Sequence, residues 1–243
     1  MNFGSTAKRI VTGPLDHYFK FIIVFLLFLL LAFDQDLAMI YLLIMFGDWV
    51  WYKSDNFISF PITNKKSKSL TVYIESLAAL GFFLVFSTIL VSSFSPQTIT
   101  SDSTIIESAQ SIFHLLATST PILKGSKILT FLGWAVLIPI IETSFFNGRL
   151  LEGLTTYAEG VVGHKISLQK MSFNLFVVML VVASAFALFH ITAKGIATIP
   201  LLITFTFSVI SSMLVVRHQE TRGAILMHIV TNGAAVLSSF GVI

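Results

Sequence analysis

Apolar positions along this chain come in long blocks rather than in stripes, and the polar residues fall mostly between the blocks. The run from Phe21 to Phe33 carries no charge at all. Blocks of this length without period-two alternation predict helices that cross a lipid bilayer, because hydrocarbon forces every backbone N–H and C=O to pair within the segment. Seven such spans are expected, near 18–33, 37–53, 70–94, 127–149, 172–193, 196–216 and 222–242. The fold class is therefore an all-α integral membrane protein, a polytopic bundle of about seven transmembrane helices. The first two spans are short for a hydrocarbon core of about 30 Å, and Asp34 and Asp36 mark the tight turn between them.

The stretch between the third and fourth spans is more polar. Within it Ile105, Ile106, Ala109, Ile112, Phe113 and Leu116 keep helical spacing, and Thr104 with Glu107 forms a capping-box pattern. A short helix lying on the outer interface is expected there. With no internal repeat and no low-complexity linker, 1–243 reads as a single membrane domain. Its parts are N-terminal spans over 1–94, an outer loop over 95–126 and a core over 127–243.

Composition agrees with this pattern. Of 243 residues, 55% are hydrophobic and only 11% are charged, whereas a soluble domain is about a quarter charged. The absence of cysteine excludes disulfides, thiol catalysis and thiolate metal sites. Net charge is +3, which in a membrane protein reflects basic loops rather than nucleic-acid binding. Lys8, Arg9, Lys20, Lys53, Lys65, Lys66, Lys68, Arg149, Lys165, Lys170, Arg217 and Arg222 fall on one side of the span map. Only Lys124, Lys127 and Lys194 fall on the other. That bias places the N-terminus in the cytoplasm and the C-terminus outside, in a multi-pass protein of the cell membrane. Trp49, Trp51 and Tyr52 suit an inner aromatic belt, and the first apolar run reads as a retained span rather than a removed signal peptide.

Ionisable residues inside spans are costly and need a reason. Asp48 and Glu75 sit near span ends, where reach to the interface or local pairing explains them. His17, His114, His164 and His218 fall in loops, at span edges or on the interfacial helix. Glu142, His190, His228 and Asn232 differ, because they lie within three separate spans. His228 and Asn232 are four residues apart and share a helix face. A structural hydrogen-bond network would account for them. So would a hydrolytic site, in which a carboxylate beside an imidazole deprotonates water while a second imidazole and an amide stabilise an oxyanion. One carboxylate and two histidines also match the usual ligand count of catalytic zinc, a minority reading that leaves Asn232 without a role. No other cofactor is expected.

At these residues the chain resembles the CPBP (Abi) family of CAAX prenyl proteases and bacteriocin-processing enzymes. The family's E-E-x-x-F-R-G motif corresponds to Glu142-Thr143-Ser144-Phe145-Phe146-Asn147-Gly148. F-x-x-x-H corresponds to Phe186-Ala187-Leu188-Phe189-His190, and H-x-x-x-N to His228-Ile229-Val230-Thr231-Asn232. The polar turn Glu220-Thr221-Arg222-Gly223 leads into the last motif. The resemblance covers about 130–243 and implies a glutamate-type intramembrane endopeptidase. Glu142 and His190 would activate water, and His228 with Asn232 would hold the oxyanion. Its partners would be the lipid bilayer and a peptide or protein substrate, with no nucleic acid. Thr143 and Asn147 replace the family's second glutamate and its arginine; Arg149 lies about 200° round an α-helix from Asn147 and is not an obvious substitute. A non-catalytic binding or immunity-type protein and a transporter with a Glu/His proton relay are the competing readings.

Helical rise sets a geometric condition on this site. Counted from Arg149 and Arg222 as inner boundaries, Glu142 and His228 lie roughly 10 Å and 9 Å deep. His190 lies roughly 30 Å from Lys170 along a straight helix. The four residues can meet only if span four runs well past Arg149, or if span five begins outside the bilayer or tilts strongly.

Overall fold

The computed structural model describes residues 69–94, 126–162, 172–190 and 198–242. Among the described residues every regular element is helical. Helix α1 spans Ser69–Phe94. A continuous rod follows over 127–162, built of α2 (Lys127–Thr130), a π-helical segment π1 (Phe131–Leu137), α3 (Ile138–Thr143), a second π-helical segment π2 (Ser144–Leu150) and α4 (Leu151–Val162). Then come α5 (Phe173–Phe189), α6 (Thr198–His218) and α7 (Arg222–Ser239). The expected spans over 18–33 and 37–53, and the interfacial helix around 105–116, lie outside the described residues.

Three of these helices are long and apolar enough to cross a membrane: Leu70–Phe94, Lys127–Glu159 and Thr198–His218. With the apolar α5 beside them, the described residues form an all-helical bundle of integral-membrane type. Helix α5 is as apolar but has only 17 residues, about 25 Å at 1.5 Å per residue and short of a full hydrocarbon core. The expected span 127–149 is too short: the helix continues through Arg149 to Val162. The charged side chain at 149 is carried by a helix that goes on, so it does not mark a helix end.

The helix ends follow from local chemistry. Ser126 caps α2 by accepting from Leu129 N at 3.2 Å, and Ser172 caps α5 by accepting from Leu175 N at 3.2 Å. Helix α7 ends in a turn where Gly241 takes φ 69° and Val242 N–H donates to Leu237 O, a conformation that glycine adopts without steric cost. Helix α6 stops at Gln219, whose φ of 58° turns the chain into α7 and whose N–H donates to Val215 O.

Packing makes one bundle with a lipid-type exterior. On α1, Val72, Ser76, Phe83, Ser87 and Val91 are buried against α6 and α7, while Leu70, Ile74, Leu77, Phe82 and Ile89 on the other faces are exposed. The close approach of α1 to α7 depends on a glycine: a Cβ on Gly223 would lie 2.5 Å from Ser76 Oγ and 3.0 Å from Val72 Cγ1. Small residues at helix crossings are what membrane bundles use in place of a hydrophobic driving force. Near one end of the bundle Arg217 and His218 on α6 pair with Glu75 on α1, with Arg217 Nη2 donating to Glu75 Oε1 at 2.8 Å and His218 Nε2 3.1 Å from Oε2. Glu75 thus has local partners, as its position near a span end suggested.

Candidate active site

The rod and α7 run antiparallel. Lys127 lies over the Phe240 ring at 5.4 Å, Thr143 meets His228, and Gly148 faces Thr221, where an added Cβ would come within 3.4 Å of Thr221 Cγ2. Helix α5 returns alongside α4. From Glu142 to Val162 the rod rises roughly 30 Å, and from Phe173 to His190 α5 rises roughly 26 Å, so the two lengths match. The extension of the rod beyond Arg149 therefore brings His190 back to the level of Glu142. The depth mismatch counted from Arg149 came from placing a boundary where the helix does not end.

Glu142 is buried on α3, and its Oε2 stands 3.9 Å from His190 Nε2 and 3.6 Å from His228 Nε2. Both separations exceed a direct N–H···O bond, yet one water about 2.8 Å from a nitrogen and from the carboxylate would fit each gap. His190 is the C-cap of α5, and its Nδ1 lies 2.8 Å from Phe186 O. A carbonyl only accepts, so Nδ1 carries the proton and donates there, which turns Nε2 towards Glu142. His228 is oriented from the rod instead: its Nδ1 is hydrogen-bonded to Thr143 Oγ1 at 2.9 Å.

Aromatic rings wall both imidazoles. Phe186 is in ring contact with His190 at 4.5 Å and with His228 at 5.8 Å. Phe146 of π2 packs edge-on against Phe186 at 5.1 Å, and Phe207 of α6 lies 4.8 Å from His228. Glu142 and His228 are buried beside these rings and His190 is half-buried, and apolar surroundings raise the strength of every charge interaction inside.

Asn232 sits one turn beyond His228, and its Nδ2 donates to Trp134 O at 3.2 Å. The backbone explains why that carbonyl is available. Ile138 N–H, the α-helical partner of Trp134 O, bonds to Gly133 O in the π-helical register. The π-helical partner would be residue 139, which is a proline and has no N–H. Pro139 thus strips Trp134 O of a helical donor, and Asn232 supplies one from α7.

The two motif departures fill other roles. Thr143 orients His228, as above. Asn147 is buried in π2, and its Nδ2 donates to Ser212 Oγ at 2.8 Å and to Ser208 O at 3.3 Å, tying the rod to α6. Arg149 is half-buried in the same segment. Sequence reasoning singled out Glu142, His190, His228, Asn232, Thr143, Asn147 and Phe186, and the fold gathers these around one interface of α3, π2, α5 and α7. It missed Phe207, Trp134, Pro139, Ser208 and Ser212. None of these belongs to a motif; Pro139 three residues before Glu142 was the one usable signal. Among the described residues, no group of three His, Asp or Glu side chains is arranged to hold a metal ion.

Residues 124–234 match the family model described as type II CAAX prenyl endopeptidase Rce1-like. No curated protein and no solved structure gave a match to the chain.

Proposed function

We infer the function from the premise that residues 124–234 match the family model of type II CAAX prenyl endopeptidase Rce1-like proteins: the protein is an intramembrane endopeptidase that cleaves a membrane-associated peptide or protein with a water activated by Glu142 and His190. The observation that carries this reading is the position of the Glu142 carboxylate between two imidazole nitrogens, 3.9 Å and 3.6 Å away.

In the proposed reaction a water lodged between Glu142 Oε2 and His190 Nε2 gives its proton to the carboxylate as its oxygen attacks the scissile carbonyl carbon. The carbonyl π electrons move to the oxygen, which takes hydrogen bonds from His228 Nε2–H and from the Asn232 amide N–H not engaged by Trp134. Donors of this kind, fixed before the reaction and shielded from bulk water, are worth on the order of 3 kcal/mol each. Collapse of the tetrahedral adduct breaks the C–N bond, and the proton held by Glu142 passes to the departing amine. A threonine at 143 suits this role, since its hydroxyl can donate to Nδ1 and leave the His228 proton on Nε2. The proposed setting is the seven-span bundle of the cell membrane, N-terminus in the cytoplasm, with substrates arriving from that side.

The replacement of the family's Glu and Arg by Thr143 and Asn147 favours one second reading, a member that has kept the bundle as a non-catalytic binding or immunity-type protein. Purified protein in bilayer discs, incubated with CAAX-type peptides with and without a prenyl group, separates the two. Cleavage by the wild type that is lost in both Glu142→Gln and His190→Ala supports the protease. Binding without cleavage sinks it, and Glu142-dependent ion flux across proteoliposomes would replace it with a transporter.

A further inference from the structure

Several buried hydroxyls in this bundle discharge onto their own helix. Ser76 donates to Val72 O at 2.6 Å, Thr155 to Leu151 O at 2.7 Å and Thr231 to Met227 O at 2.9 Å. Ser87 on α1 does not, and neither do three serines on the rod and α6. Ser144 on the rod and Ser208 and Ser211 on α6 are 6%, 0% and 1% exposed, and their Oγ atoms have no hydrogen-bond partner among the described residues. A buried hydroxyl left unsatisfied costs about 1–3 kcal/mol, so three such groups would be a heavy expense for a packed, dry bundle.

Ser144 follows Thr143, which bonds His228, and Ser208 follows Phe207, which lies against the His228 ring. Asn147, about one turn further along the rod, reaches Ser208 O and Ser212 Oγ. One residue on, Gly148 meets Thr221 in the turn between α6 and α7. There Glu220, 9% exposed, uses Oε2 for Arg222 and leaves Oε1 without a partner among the described residues. Polar atoms in need of partners thus occur on the segments that flank His228 and in the 219–222 turn, separated by a rise of about 9 Å along α7. Buried sites with several unsatisfied polar atoms and small side chains are those that hold ordered water, at two to four bonds per molecule.

We propose that the seam between the rod and α6 is a buried water-binding site that leads from the 219–222 turn to Glu142 and supplies the water that hydrolysis consumes. Its occupancy stands independently of the protease reading; its supply role rests on that reading. Each hydrolysis event uses one water, and the aromatic walls that shield the imidazoles also hinder direct entry from bulk. A polar seam reaching the site from the side of the turn provides a route that bypasses those rings.

The test is water-edited solid-state NMR on the full chain in lipid bilayers with labelled serine. Magnetisation from water is expected to reach Ser144, Ser208 and Ser211 several-fold faster than Ser76, which is equally buried but bonded to its own helix. Transfer as slow as that to Ser76 overturns the proposal. In Ser208→Ala/Ser211→Ala the transfer to Ser144 should fall to the level of Ser76, and thermal stability should drop as anchored water is lost. A stability gain in that variant marks a dry seam and overturns the proposal. On any peptide the wild type cleaves, the same variant should lose several-fold in kcat with KM unchanged; unchanged kcat overturns the supply role. If the wild type cleaves nothing, the protease reading fails, the supply role falls with it, and the NMR arm still decides occupancy.

Discussion

Thr143 Oγ1 and His228 Nδ1 meet at 2.9 Å in the buried interface between the rod and α7, 85 residues apart in sequence. The hydroxyl stands where the related family places a second glutamate. A carboxylate there would only accept, and would draw a proton onto Nδ1; a hydroxyl can do either. Thr143→Val keeps the shape and removes the bond. It should lower kcat by up to about 100-fold, the scale on which small misplacements of catalytic groups act, while Thr143→Ser should retain most of the activity. Steady-state cleavage of a common peptide by the two variants checks this. Equal kcat in Val and Ser variants would show that the bond does not position the imidazole.

The Pro139, Trp134 and Asn232 arrangement makes a thermodynamic prediction that needs no substrate. Asn232→Leu leaves the Trp134 carbonyl without its donor and should cost about 1–3 kcal/mol. Pro139→Ala restores a backbone N–H that can take over that carbonyl. The double variant should therefore be less destabilised than the sum of the singles, which thermal unfolding in detergent would reveal. Simple additivity would mean that the carbonyl finds another partner.

Gly223 sits where α7 presses on α1. Gly223→Ala puts a methyl group against Ser76 Oγ and Val72 Cγ1 and should destabilise by about 1–3 kcal/mol through overpacking. Gly233→Ala, whose new Cβ would have its nearest neighbours at 3.9 Å, should be neutral or stabilising on the same assay. Adding Ser76→Ala to Gly223→Ala should recover part of the loss.

Asn147 is the link from π2 to α6. Asn147→Leu leaves Ser212 Oγ and Ser208 O without this donor and should cost about 1–3 kcal/mol. Asn147→Gln keeps the amide but lengthens the arm, so it should fall between the two. Unfolding midpoints for the three proteins provide the measurement.

The sequence by itself determined the class of fold and the identity of the polar residues to watch. Long uncharged blocks leave the backbone no partner but itself, so helices at 69–94, 198–218 and 222–239 were legible to within a few residues. Glu142, His190, His228 and Asn232 stood out because a polar group in hydrocarbon is expensive wherever it lies. Their meeting was not legible, because it depends on lengths that hydropathy does not encode. Arg149 looked like a boundary, yet the rod runs on to Val162, as a helix can wherever a charged side chain finds partners within the bundle or at its surface. Only the tertiary structure decided that this added length matches α5 and returns His190 to Glu142. It also decided that Thr143 holds His228 and that a proline-orphaned carbonyl holds Asn232. These are contacts between helices, set by how the rod, α5, α6 and α7 pack, and no periodicity within one helix records which face its neighbour will take.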